Sequence, residues 1–515
     1  MKPSNRREFL SDVSRGMLVA GLGASLANDL GFSTAFAEQG SNALVLGEYA
    51  SLVGLLESTP ADKLQPILAE KLRRGETNMR QLIGAAALAN AETFGGCDYV
   101  GFHTAMAMLP SLEMAKLLPA DRQPLPVFKV LYRNSQQIQS VGGASKKTLQ
   151  ALHEAEHASD GDLGVSIRDA CREQDIKKAE GLLATTGDSA VAALNAVMPA
   201  IVDDINVHRF VFAYRTYGLA GLLGKGFAQT CLRQCVHFCA DHERMRVEHK
   251  HAPSAIRTVL PKLLDQYKLA GATPGKRDPG DAAIEALCNA IYSGPPERSA
   301  EAVAAAIAEG ISLEAVGESI SLASNLLALR QGPDKWRTHG DSAGVHSSDA
   351  TNAWRNMARV TDSRHAIAGL IVAAYHSAIH TPFTTPAYPT DEHRAEIKAI
   401  DAAGLLAVAE DAVRHNDQGR AAAAIAIYGE RGNSPEAAYN MLLKFAVSED
   451  GRLHGEKYFH TVREEFGAIR PAFRWRQLVA LGRVTASAYG YNREDKHGFR
   501  AAGYEEACKL LGVEA

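Results

Sequence analysis

Five histidines in four separate stretches are spaced so that they could hold a metal. His103 lies in Gly101-Phe102-His103-Thr104-Ala105-Met106 and His208 in Val207-His208-Arg209-Phe210-Val211-Phe212. His346 stands ahead of Asp349-Ala350-Thr351-Asn352, and His454 and His460 share the stretch that ends at Phe466. Each lies near the start of an apolar, helix-patterned run. Neutral imidazole is the commonest protein ligand for transition metals, and helical cores build such sites from side chains on facing helices. If the four runs face one interior point, His103, His208, His346, His454 and His460 are the expected metal ligands. They would hold iron or copper through neutral imidazole, or a non-covalent haem. Tyr214 and Arg215, on the same run as His208, suit substrate contact or proton transfer, with a small organic molecule as substrate. The competing reading is that these histidines cap helices or bridge between them.

Three further sets have the right residue types. His365, His376 and His380 return to nearly the same helix face, but His365 would sit about 16 Å along that face, so only His376 and His380 could share an ion. Cys231, Cys235 and Cys239 form a sulfur stripe at helical spacing. Iron–sulfur and zinc sites usually draw their cysteines from tight C-x2-C turns, and small thiols between packed helices account for the stripe equally well. His153-Glu154-Ala155-Glu156-His157 matches the zinc-protease pattern, with Glu154 as the general base. Its neighbours Lys146, Lys147, Asp160 and Asp162 are those of a solvated helix end rather than a buried site. No glycine-rich phosphate loop, G-x-S-x-G elbow or C-x-x-C-H haem attachment occurs.

The elements that must position these residues are helical. Beyond Ser51, alanine and leucine recur at three- and four-residue steps, as in Ile83 to Ala89 and Leu405 to Ala409, and no alternating Val/Ile/Thr run reads as a strand. The strongest break runs from Ala270 to Gly280 and divides the chain into near-equal halves. Self-similarity accompanies the division. Arg298, Gly310, Ser312 and Glu314 register with Arg420, Gly432, Ser434 and Glu436; Asp169, Arg172 and Asp175 register with Asp411, Arg414 and Asp417; Phe102-His103-Thr104 registers with Phe459-His460-Thr461. A unit of roughly 110 to 130 residues follows. The expected fold is all-α, a degenerate four-copy helical repeat, solenoid or toroid, in two halves (38–270 and 284–515, joined by a linker at 271–283). Under this register the equivalent pairs are Cys97 and His103, His208 and Tyr214, His346 and Asn352, and His454 and His460.

A formal net charge of −4 over 515 residues gives no bias toward nucleic acid. Seven cysteines cannot all pair internally, and in so long a chain they read as buried thiols or ligands. No segment after the first 37 residues approaches the roughly 20 apolar residues of a membrane span. At the start, Ser4-Asn5-Arg6-Arg7-Glu8-Phe9-Leu10 is followed by a short apolar stretch from Gly16 to Ala27 and then by Ala35-Phe36-Ala37. This order resembles a twin-arginine export signal with its cleavage site, over residues 1–37. The resemblance implies a periplasmic or secreted protein exported already folded, a route that suits a chain loaded with a cofactor beforehand. The expected function is therefore an exported metal- or haem-dependent oxidoreductase. The alternatives are a non-catalytic helical scaffold for a partner protein and a zinc-dependent hydrolase using His153 and His157.

Overall fold

The structure is a computed structural model that describes residues 43–152, 161–332, 342–380, 383, 385–399, 401–490 and 500–514. The segment that resembles an export signal and the His153–His157 motif lie outside the described residues. Among those described, the chain is all-helical: there are α-helices, two short 3-10 turns and no named strand. The helices are α1 (Ala50–Ser58), α2 (Ala61–Arg73), α3 (Met79–Phe94), α4 (Tyr99–Ala115), α5 (Pro124–Ser140), α6 (Leu163–Arg172), α7 (Ile176–Ala184) and α8 (Ala190–Ile201). Next come α9 (Val207–Leu223), α10 (Ala228–Glu248), α11 (Ile256–Gln266), α12 (Asp281–Ser293), α13 (Pro296–Ala308), α14 (Leu313–Arg330), α15 (Ala343–Ala358) and α16 (Ser363–Ala378). The last are α17 (Asp391–Ala395), α18 (Ala402–Arg414), α19 (Gln418–Glu430), α20 (Pro435–Ala446), α21 (His454–Ala468), α22 (Trp475–Ala488) and α23 (Tyr504–Leu511).

Local sequence starts these helices in the expected way. Asn78 and Gln81 form a reciprocal capping box at α3, and Asp98, Asn206, Ser342 and Asp362 each accept a first-turn N–H at α4, α9, α15 and α16. Several helices are buried on all sides, α3 from Leu82 to Phe94 and α16 from His365 to Ala378, which explains their near-continuous Ala/Leu/Ile composition. Small residues set the closest approaches. A Cβ on Gly344 would lie 2.2 Å from the backbone nitrogen of Ala328, so the first turn of α15 rests directly on α14.

Four helices form a closed circuit: α4 packs on α9, α9 on α15, α15 on α21, and α21 returns to α4. The closure joins chain segments far apart in sequence and is held by buried charge. Lys129 of α5 pairs with Glu456 of α21 at 2.6 Å and donates to the carbonyls of Ser448 and Arg452 at 2.7 and 2.8 Å, while Arg133 pairs with Glu449. The C-terminal α23 packs on α2, and Gln65 reaches the Ala502 carbonyl at 3.0 Å.

The main apolar core runs from Tyr49 to Ala507 and includes residues on both sides of the Ala270–Gly280 break; a second core centres on α18 to α22. The break itself is pinned down. Arg277 bridges to Ile311, and a Cβ on Gly275 would lie 2.1 Å from the Gly310 carbonyl oxygen.

Candidate metal centre

Each helix of the closed circuit brings one imidazole to a common point. His208 and His454 lie within the first two residues of α9 and α21, while His346 and His103 lie in the opening turns of α15 and α4. Ring centroids are 4.6 Å apart for His103 and His208, 5.3 Å for His103 and His454, 5.2 Å for His346 and His454, and 6.1 Å for His208 and His346. All four helices therefore begin at this quartet and run away from it. His103 and His454 are buried, and His208 and His346 are nearly so. Phe102 stacks on His103 at 4.9 Å, and Tyr99 lies 4.4 Å from it on the outer side.

Hydrogen bonds select tautomers. His103 Nδ1 lies 2.7 Å from the Tyr99 carbonyl and His346 Nδ1 3.2 Å from the Ser342 carbonyl. A carbonyl can only accept, so both Nδ1 atoms carry the proton and each Nε2 presents its lone pair. His103 Nε2 faces His208 Nε2 at 3.1 Å, and two lone pairs would repel there, so His208 Nε2–H donates to His103. Burial, reinforced by the nearby Lys457 charge, pushes His103 down to about 2. Burial, with His103 and Lys457 beside it, pushes His208 far below its ordinary value. The positive ends of four helix dipoles act in the same direction. His103 and His208 are thus held neutral, the protonation state in which imidazole ligates metals.

The shorter of these separations resemble those around one ion. Two nitrogens bound at about 2.1 Å, at cis to tetrahedral angles, stand about 3.0 to 3.4 Å apart, and their ring centroids about 5 Å apart. The mutual hydrogen bond of His103 and His208 occupies the geometry that a shared ion would take. Among the described residues, no group of three or more His, Cys, Asp or Glu side chains is placed so that it could hold a metal ion, so ligation would require that proton to leave and the rings to turn inward.

A charged layer lies one helical turn behind the quartet. Lys457 follows His454 on α21, Asp349 follows His346 on α15, and both are buried. Burial draws the Lys457 ammonium down to about 8 against the opposing charge of Asp349; burial raises the Asp349 carboxyl, which accepts from Thr461 Oγ1 at 2.8 Å. Arg215, also buried, covers the Tyr214 ring with its guanidinium 4.7 Å from the centroid.

The next turn holds His460, whose Nε2 lies 3.2 Å from Glu464, and Tyr214, whose hydroxyl donates to the same carboxylate at 3.3 Å. Burial alone would raise Glu464, but the hydrogen bond and charge of His460, with Arg215, outweigh it and hold the carboxyl at about 2. Burial pushes the Tyr214 phenol up to about 12, against the lowering effect of Arg215. Asn352 and Arg355 meet Glu465 alongside.

Four of the five expected ligands therefore converge, and His460 stands a layer behind them with Tyr214 and Arg215. The register read for the first stretch differs from this arrangement. Matching His103 to His460 places Cys97 opposite His208, His346 and His454, but it is His103 that joins those three. Cys97 is exposed instead. Asp349, Lys457 and Glu464 were not singled out from sequence, although each lies three or four residues after a candidate histidine and so shares its helix face.

The other candidate sets separate from this site. His365 Nδ1 faces Asn195 and Asp362 at 3.1 and 3.2 Å. His376 is buried against Phe210, its ring 6.2 Å from that of His380, and burial followed by the charges of His380 and His346 lowers it to about 3. Cys231, Cys235 and Cys239 are buried free thiols; burial raises all three, Cys235 to about 12 and Cys239 to about 11, so they pack as small apolar groups.

No family model, curated protein or solved structure matches the chain.

Proposed function

We propose that the imidazoles of His103, His208, His346 and His454 ligate one iron or copper ion, and that the protein is an exported metal-dependent oxidoreductase acting on a small organic molecule. The observation that carries this reading is the meeting of four histidines from four helices, with ring centroids 4.6, 5.2, 5.3 and 6.1 Å apart, the shorter of which resemble the separations around a single ion. Neutral tautomers fixed by backbone carbonyls behind two of the rings are the usual support of ligating histidine. Imidazoles in mutual contact leave room for an ion rather than for a porphyrin between them, which favours a bare metal over haem. Four neutral nitrogens with no carboxylate among them suit copper and iron better than calcium or magnesium. The four histidine-bearing helices are read as equivalent parts of a degenerate four-copy repeat closed on itself.

Within this reading Lys457 and Asp349 form the charge reservoir nearest the metal. His460, Glu464 and Tyr214 continue it outward, with Tyr214 and Arg215 as the groups for proton transfer and for orienting an anionic substrate. The hydrogen bond already made between His103 and His208 favours a second reading, a metal-free helical scaffold that binds a partner protein.

Elemental analysis and the absorption spectrum of the mature protein, as purified and after anaerobic reconstitution with Fe(II) or Cu(II), decide between them. One ion per chain is expected, with affinity reduced about tenfold or more in His103→Ala and in His346→Ala and retained in His365→Ala. A chain that stays metal-free through reconstitution, or binds equally in all variants, overturns the metal site and leaves the scaffold.

A further inference from the structure

A second chamber lies at the opposite end of α4. Its volume is about 700 Å³, and it is bounded by the loop after α4, the end of α20, the end of α22 and the start of α23. His103 sits near the start of α4 and Leu117 just beyond its end, so the rise of about 1.5 Å per residue puts the chamber about 20 Å from the quartet. The chamber is independent of the metal reading.

The lining combines two chemistries. Leu117, Leu118, Leu443, Val447, Phe445 and Tyr504 give an apolar wall, while Arg122, Arg414, Lys444 and Arg500 bring four cations; no acidic side chain is among the described lining residues. Most of these cations already have contacts. Arg414 and Lys444 share Glu410 at 2.9 Å each, and Arg122 reaches the Glu514 carbonyl at 3.3 Å. Arg500 differs. Its guanidinium lies 5.2 Å from the centroid of the Tyr504 ring, yet its Nη1 is shielded from solvent and has no hydrogen-bond partner. A buried donor left unmade is costly, and a guanidinium prefers the two oxygens of a carboxylate. A chamber of this size suits a small organic ligand, with a few polar groups fixing the orientation of an apolar body.

We infer that this chamber binds an organic monoanion with an extended apolar body, its carboxylate on Arg500 and Arg122 and its hydrocarbon along Leu117, Leu443 and Phe445. The cations select the head group and the apolar wall takes the chain, so an alcohol of equal length loses the first contribution and a short acid loses the second.

Isothermal titration of the full mature chain with dodecanoate, dodecan-1-ol and acetate tests the assignment, with anionic phosphatidylglycerol vesicles as a separate arm. Saturable one-to-one binding of dodecanoate is expected, at least about tenfold tighter than the alcohol, as one charge-assisted pair supplies, and with no detectable binding of acetate. Arg500→Gln should remove that preference while leaving the melting temperature in place. Leu443→Trp, which fills the chamber from its apolar side, should weaken acid and alcohol alike. Equal affinity for acid and alcohol, an unchanged preference in Arg500→Gln, or binding to vesicles without binding of monomeric dodecanoate would overturn the assignment.

Discussion

At the scale of single residues, burial lowers several interior histidines, and this makes stability depend on pH. His376 shows the effect apart from the proposed ligands. In the unfolded chain it titrates near 6.5, and burial lowers it to about 3 in the folded state. Between those values only the unfolded state takes up the proton, so stability is complete above about pH 6.5 and declines as pH falls through that window. Urea unfolding at pH 7 and pH 5 should show the advantage of the native chain over His376→Gln shrinking by about 2 kcal/mol. A constant difference between the two would mean that the folded state protonates His376 as readily as the unfolded one. Of the residues that compose the site, the histidines were legible because imidazole near the start of an apolar run is chemically conspicuous. Asp349, Lys457 and Glu464 were not, because charged residues on a helix usually face solvent, and only the packing of α15 against α21 shows that Asp349 and Lys457 are enclosed and Glu464 half-buried.

At the scale of elements, the position of each imidazole is set by how closely its helix approaches the next. The first turn of α15 lies so near α14 that Gly344→Ala must push backbone against backbone, at a cost of about 1 to 3 kcal/mol. The same displacement carries His346 with it, so thermal melting should fall and metal affinity with it. Gly54→Ala, in α1, is the control: a Cβ there meets nothing within 4 Å, and better helix propensity should leave stability equal or higher by about 0.5 to 1 kcal/mol. Loss of metal in the control, or retention of both properties in Gly344→Ala, would separate the site from this contact. Helix class was readable from periodicity, whereas the caps at Asn206, Ser342 and Asp362 were not singled out from sequence. The register between helices was not. Cys97 and His103 are both acceptable on a first-copy alignment, and the choice depends on which one α4 turns toward α9 and α21, a property of three-dimensional packing.

At the scale of the whole molecule, the contact of α21 with α4 joins the two ends of the helical circuit. Beside it, α5 is fastened to α21 by the buried pair of Lys129 and Glu456. Lys129→Met strands the Glu456 carboxylate and three backbone acceptors, and about 3 to 5 kcal/mol of stability should be lost. Lys129→Met combined with Glu456→Leu should recover part of it, because no charge is then left unmatched. Denaturant titration of the single and double variants checks both; equal losses in the two would place the cost in packing rather than in the stranded charge. The division into halves at Ala270–Gly280 marks a change in composition, whereas the apolar interior continues through it.

The circuit also imposes an order on assembly. A chain emerging from the ribosome offers His103, His208 and His346 well before His454, which arrives with the helix that completes the enclosure. Three imidazoles without the fourth are open to water and to whatever cation is most abundant. On the proposed metal reading, a full coordination shell would exist only once synthesis has passed α21 and the last helices have docked onto the first, so metallation would belong to the finished polypeptide rather than to the growing one.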